Sequence, residues 1–169
     1  VRSLVKNVKK VLVNPEDYDA RAEIFYATTL GCNGIYCLGH SPSGWPMHAM
    51  EHALSAYYDI THGEGLAILT PRWMRHILTH SAGELHDQVV ERIEKFGKNV
   101  FGAEGCEASI LAIHDFYREI GIPMTLKEVG IDDSRLSEMA QHVALLEGLD
   151  RAWVPLYEQD ILAIYKDCL

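Results

Sequence analysis

Trp45 to Gly65 reads W-P-M-H-A-M-E-H-A-L-S-A-Y-Y-D-I-T-H-G-E-G, and its punctuation is that of two helices separated by a tight turn. Pro46 suits the first position of a helix, where its missing N–H costs nothing, and the pattern predicts a helix from there to about Asp59. His62-Gly63 opens the next segment. On the first helix His48 and His52 are four residues apart, so they differ by about 40° in azimuth and about 6 Å in rise and project from one face. His62 follows just past the predicted helix end, where a turn can fold it back toward that face. Imidazole nitrogen binds zinc, iron, copper and nickel well, so three histidines brought together this way could hold a divalent ion.

Helical signals extend in both directions. Upstream, Val1, Leu4, Val5, Val8 and Leu12 recur at three- and four-residue steps, with Arg2, Lys6, Lys9 and Lys10 on the other face, the pattern of an amphipathic helix. Asn14-Pro15-Glu16-Asp17 then supplies a cap, a first-position proline and first-turn acids, and predicts a long helix over about 15–38. Gly39 to Trp45 reads as a loop. Downstream, Pro71 is expected to interrupt the segment opened by His62 and to restart a helix through His80. Further helices are expected at about 83–97, 106–120, 126–129 (with a capping box at Thr125-x-x-Glu128), 134–146 and 157–167. Alternating strand patterns are nearly absent, loops are short, and there is no repeat or low-complexity segment. The expected fold class is all-α, a single multi-helix domain over residues 1–169.

Composition narrows the function classes. An apolar fraction of 48% and a charged fraction of 23% over 169 residues fit a folded domain rather than a disordered chain. Fifteen basic against 24 acidic side chains give a net charge of −9, which repels phosphate backbones and anionic lipid, so no nucleic-acid or membrane-surface partner is expected. Neither a membrane-spanning run nor a signal-peptide pattern is present. Cys32, Cys37, Cys106 and Cys168 have no C-x-x-C spacing and read as reduced thiols of a cytoplasmic protein. Gly63-Glu64-Gly65 is the nearest approach to a dinucleotide fingerprint, and it lacks the third glycine and a preceding strand.

Other histidines read as ordinary. His76 and His80 share the four-residue spacing, but Arg72 and Arg75 beside them suggest a solvated basic face. Glu138-x-x-x-His142 reads as a helix-surface pair. His86 and His114 are isolated, and His40 is close enough in sequence to the triplet to support it. Tyr57, Tyr58 and Glu51 read as helix-packing residues.

The stretch H-A-M-E-H-A-L-S-A-Y-Y-D-I-T-H-G-E-G-L-A-I-L-T-P, residues 48–71, resembles the metal-binding signature of the iron-containing alcohol dehydrogenases, in particular their butanol-dehydrogenase and aldehyde-reductase branch. N-P-E-D-Y-D-A-R-A-E-I upstream, and F-Y-R-E-I-G-I-P-M-T-L-K-E-V-G-I-D and D-I-L-A-I-Y downstream, extend the resemblance over essentially the whole chain. It implies a helical bundle corresponding to the C-terminal metal-binding domain of a dehydroquinate-synthase-like two-domain enzyme. It implies that His48 and His62 are metal ligands and that His52 lies by the nicotinamide and substrate, as a catalytic and cofactor-contacting residue. It implies a divalent metal, iron with zinc as the other candidate, and NAD or NADP held by a nucleotide-binding domain. The implied reaction interconverts primary alcohols and aldehydes.

The family's site also uses an aspartate and a histidine four residues later, on an earlier helix. No Asp-x-x-x-His occurs here, so the expectation is a C-terminal fragment carrying half of a four-ligand site, inactive alone and weakly occupied by metal. Trp45, Met47, Met50 and the Val1–Leu12 stripe are expected to be partly uncovered, favouring a homo-oligomer. Two rival readings are a sibling glycerol-dehydrogenase or dehydroquinate-synthase-like enzyme, and a non-enzymatic helical module with structural histidines.

Overall fold

The computed structural model describes residues 1–38 and 45–169. Among them every regular element is helical: α1 (Arg2–Val13), α2 (Tyr18–Cys32), α3 (Pro46–Tyr58), α4 (His62–His80), α5 (Gly83–Phe101), α6 (Cys106–Glu119), α7 (Leu136–Leu146) and α8 (Glu158–Asp167), with 3₁₀ turns at Ile35–Cys37, Lys127–Val129 and Leu149–Arg151. The expected all-α class is what is seen. His40 and most of the Gly39–Trp45 loop lie outside the described residues.

α4 is the axis of the body. Its first half contributes Ile68 and Leu69 to a core shared with Ala49, Met50 and Leu54 of α3, Met139, Ala140 and Val143 of α7, and Ile161, Ile164 and Tyr165 of α8. Its second half contributes Met74 and Ile77 to another core with Val89 and Ile93 of α5 and Ile110 and Ile113 of α6. One helix serving two cores must be continuous, and α4 runs unbroken through Pro71. This corrects the expected interruption. A proline removes one helical donor, and side chains supply others nearby: the Thr70 hydroxyl donates to Leu66 O at 2.7 Å and the Arg72 guanidinium to Ile68 O at 3.2 Å. Pro71 is itself buried, so packing offsets the lost bond.

α2 also differs from expectation. Asp17, not Asn14, caps it, accepting from Ala20 N at 2.9 Å. Asn14 instead closes its own turn, its side chain accepting from Glu16 N at 3.2 Å. The helix ends at Cys32 rather than near residue 38 because Asn33 closes it and Gly34 follows at φ +81°, a left-handed conformation incompatible with continuation.

The packing of α5 on α6 depends on a glycine. A Cβ at Gly97 would lie 1.8 Å from Ser109 Oγ, so α5 and α6 touch only because that position is bare. The chain end is fastened by Leu126 N donating to Cys168 O at 2.7 Å, and burial pushes the Cys168 thiol up to about 12, which makes it inert. No helix among the described residues is long and apolar enough to cross a membrane.

Candidate metal centre

α3 runs from Pro46 to Tyr58, and Asp59 after it adopts φ +54°, ψ +38° and turns the chain sharply. Asp59 N donates to Ser55 O at 2.9 Å, closing the helix. Three residues after Asp59, α4 starts with His62 as its first residue. This short turn, and not a long loop, returns His62 to the face that carries His48 and His52.

The three rings converge. Ring centroids of His48 and His62 lie 5.3 Å apart, those of His52 and His62 5.5 Å, and those of His48 and His52 6.2 Å. Trp45 meets His48 edge-on at 5.0 Å. Donor atoms of Glu51, His52 and His62 all lie within 4.8 Å of one another. His48 is half-buried while His52 and His62 are exposed. Burial first, then the neighbouring His62 and His52 rings, pull His48 below the ordinary histidine value against an opposing pull from Glu51. A lowered value favours the neutral ring, the form that offers a lone pair to a cation.

Glu51 corrects the sequence reading most. It was expected to pack a helix; instead its fully buried carboxylate reaches across to α4. One oxygen, Oε2, pairs with His62 Nδ1, and the other, Oε1, accepts from the Ser55 hydroxyl. Gly65 makes room, since a Cβ there would meet Glu51 Cγ at 2.6 Å and Oε1 at 2.9 Å. A signal was available: Glu51 is the single Asp, Glu, Lys or Arg between Pro46 and Tyr58. It also faces the same interior as Met50 and Leu54, where an unpaired carboxylate is costly. Met50 is likewise buried rather than partly uncovered, because it lies in the core that α3 shares with α4, α7 and α8, where the Tyr165 hydroxyl also donates to its backbone carbonyl at 2.7 Å. Trp45, by contrast, is exposed as expected.

The other histidines fall elsewhere. His76 is not on a solvated face: it is buried, stacked on His80 at 4.0 Å, with Nε2 3.4 Å from Asp160 Oδ1 of α8. The reason is that α8 packs against this side of α4 and brings Asp160 to His76. His142 and Glu138 are bridged by the Tyr57 hydroxyl across α3 and α7, with Arg135 over the Tyr57 ring at 4.1 Å. His86 pairs with Ser81 and His114 with Asp115, both local contacts.

A clustered set of imidazoles beside a carboxylate is a donor set that suits iron or zinc. The family model for the C-terminal part of the Fe-containing alcohol dehydrogenases matches residues 1–169. The chain belongs to the iron-containing alcohol dehydrogenase family. It is 38% identical over 174 aligned residues to NADH-dependent butanol dehydrogenase A of Clostridium acetobutylicum, covering 98% of this chain and 43% of the relative. It is 32% identical to an NADPH-dependent aldehyde reductase of Escherichia coli, over 79% of this chain and 34% of that protein. The crystal structure of NADH-dependent butanol dehydrogenase A from Thermotoga maritima superposes with a TM-score of 0.86 at 30% identity, covering 99% of this chain and 43% of that one. The chain thus spans less than half the length of these relatives, and what it matches is their helical C-terminal part.

Proposed function

We propose that this chain is the metal-binding helical domain of an NAD(P)-dependent enzyme that interconverts primary alcohols and aldehydes. The observation that carries the reading is the convergence of the His48, His52 and His62 rings at the α3–α4 junction. Family membership supports it, as do relatives named as butanol dehydrogenases and an aldehyde reductase.

His48 and His62 are the proposed ligands of a divalent cation, iron by family with zinc as the alternative. When bound, such a cation supplies Lewis acidity toward the substrate oxygen. The remaining work is done by side chains. His62 turns its Nδ1 to Glu51, leaving Nε2 for a ligand role. Trp45 packs edge-on against the His48 ring. His52 is exposed one turn from His48 and is the proposed group that relays the alcohol proton or orients the nicotinamide ring.

We further propose that hydride transfer needs the portion of the relatives' length that this chain does not span, where a nucleotide-binding domain and two further ligands would belong. On that reading the 169-residue chain binds metal weakly and does not turn over by itself. A homo-oligomer is part of the same reading, supported by exposed Val13, Tyr18, Phe25 and Tyr26 on α1 and α2. The test is metal content after dialysis together with aldehyde-dependent NAD(P)H oxidation. Low metal content and no oxidation are expected; sustained turnover by the chain alone would contradict the division of labour. In an intact enzyme carrying this domain, His62→Ala should abolish aldehyde reduction. Loss of thermal stability with full activity would favour a structural role for the histidines instead.

A further inference from the structure

Glu51 has 0% exposure, sits on α3 between His48 and His52, and is held from two sides. Burying a carboxylate costs several kcal/mol unless partners compensate, and removing one partner of such a pair is strongly destabilising. Here three positions on two helices accommodate it. Ser55, one turn along α3, donates to Oε1. His62, the first residue of α4, pairs with Oε2. Gly65, one turn into α4, has no side chain where any Cβ would collide with the Glu51 stem. The cradle fixes which His62 nitrogen is which. A carboxylate only accepts, so the proton of His62 lies on Nδ1, and the lone pair lies on Nε2.

We propose that Glu51 is a positioning residue: through the His62 Nδ1–H bond it sets the tautomer and ring orientation of His62 so that Nε2 is presented as a ligand. The inference rests on the reading of His62 as a metal ligand. A ligating histidine whose other nitrogen donates to a carboxylate is a better base and is held in one orientation, and loss of such a partner weakens metal binding about 10- to 100-fold. Ser55 and Gly65 act one step further out, orienting and admitting the carboxylate itself.

The test uses the full 169-residue chain, with zinc as the probe and two readouts, neither of them turnover. The first is the tautomer of His62 in the metal-free chain, read from two-bond proton–nitrogen correlations of the ring. The expected result is a proton on Nδ1 in the unmodified chain and in Glu51→Gln, whose amide oxygen still accepts, and its loss from that nitrogen in Glu51→Leu. The second is zinc affinity by competition with a chromophoric chelator. It should fall 10- to 100-fold in Glu51→Leu, stay within a few-fold in Glu51→Gln, and drop a few-fold in Ser55→Ala. A proton on Nε2 in the unmodified chain overturns the proposal, and that result needs no variant to fold. Unchanged affinity in Glu51→Leu, with affinity lost in His62→Ala, also overturns it while leaving the ligand reading intact. Unchanged affinity in His62→Ala overturns the ligand reading itself.

Discussion

The α3–α8 body and the α1–α2 hairpin are both built of helices rich in apolar residues, yet they use those residues differently. In the body, Met50, Leu54, Ile68 and Leu69 are fully buried, and α4 passes from one core into the next. In the hairpin, the two helices pack mainly on each other, and only Asn7 and Ala20 are buried. Val13 is 88% exposed, Tyr18 80% and Phe25 76%. The link to the body includes a half-exposed ion pair, Lys9 to Glu119 at 2.5 Å, with the Lys9 ammonium over the Phe116 ring. A 3.6-residue apolar period therefore establishes that a helix forms, but not that its face finds a partner within the same chain.

The contrast can be broken by substitution. Leu54→Ala in the body should cost about 2–5 kcal/mol by removing buried methyl groups and leaving a cavity; thermal or urea unfolding reads it directly. Gly97→Ala should cost about 1–3 kcal/mol, since the added methyl lands on Ser109 unless α5 and α6 move apart.

A pH experiment probes the inward half of α4. Burial, then the His80 ring, holds His76 below the ordinary histidine value despite Asp160 pulling the other way. The unfolded chain then binds the proton more readily, so stability present above about pH 6.5 is lost as pH falls toward the folded value. The melting temperature should decline over that interval, and His76→Gln should flatten the decline. A slope unchanged in that variant would remove His76 as its source. The smallest effect is expected in the hairpin: Phe25→Ala should change stability by less than about 0.5 kcal/mol. A large loss there would mean that the exposed face is covered in solution, and sedimentation at rising concentration would show whether a second copy does the covering.

How much of this was legible in the sequence follows the same division. Helix positions from 46 onward read well because period, prolines and caps agree. At the expected box Glu128 N donates to Thr125 Oγ1 at 3.2 Å, while the Glu128 carboxylate accepts from Met124 N at 2.9 Å and the element that follows is a 3₁₀ turn. Local signals misled where a tertiary demand overrode them. Pro71 reads as a breaker, but a helix shared by two cores is kept continuous by packing on both sides. Arg72 and Arg75 made His76 look solvated, although one turn of a helix can carry arginines outward and a histidine inward. At the site, the spacing of His48, His52 and His62 was readable because two helices and a three-residue turn fix it. The partnership of Glu51 with His62 was not, because it depends on how closely α3 approaches α4. That distance is set by a missing side chain at Gly65, which no periodicity reports.

The central claim, that His48 and His62 converge on one cation, is tested most directly by titrating zinc into the chain with nitrogen-labelled histidines and following each ring. The expected result is that the His48 and His62 ring signals shift together with a single midpoint, while His86 and His114 stay where they are. Separate midpoints for His48 and His62, or a response confined to the His76–His80 stack, would contradict it.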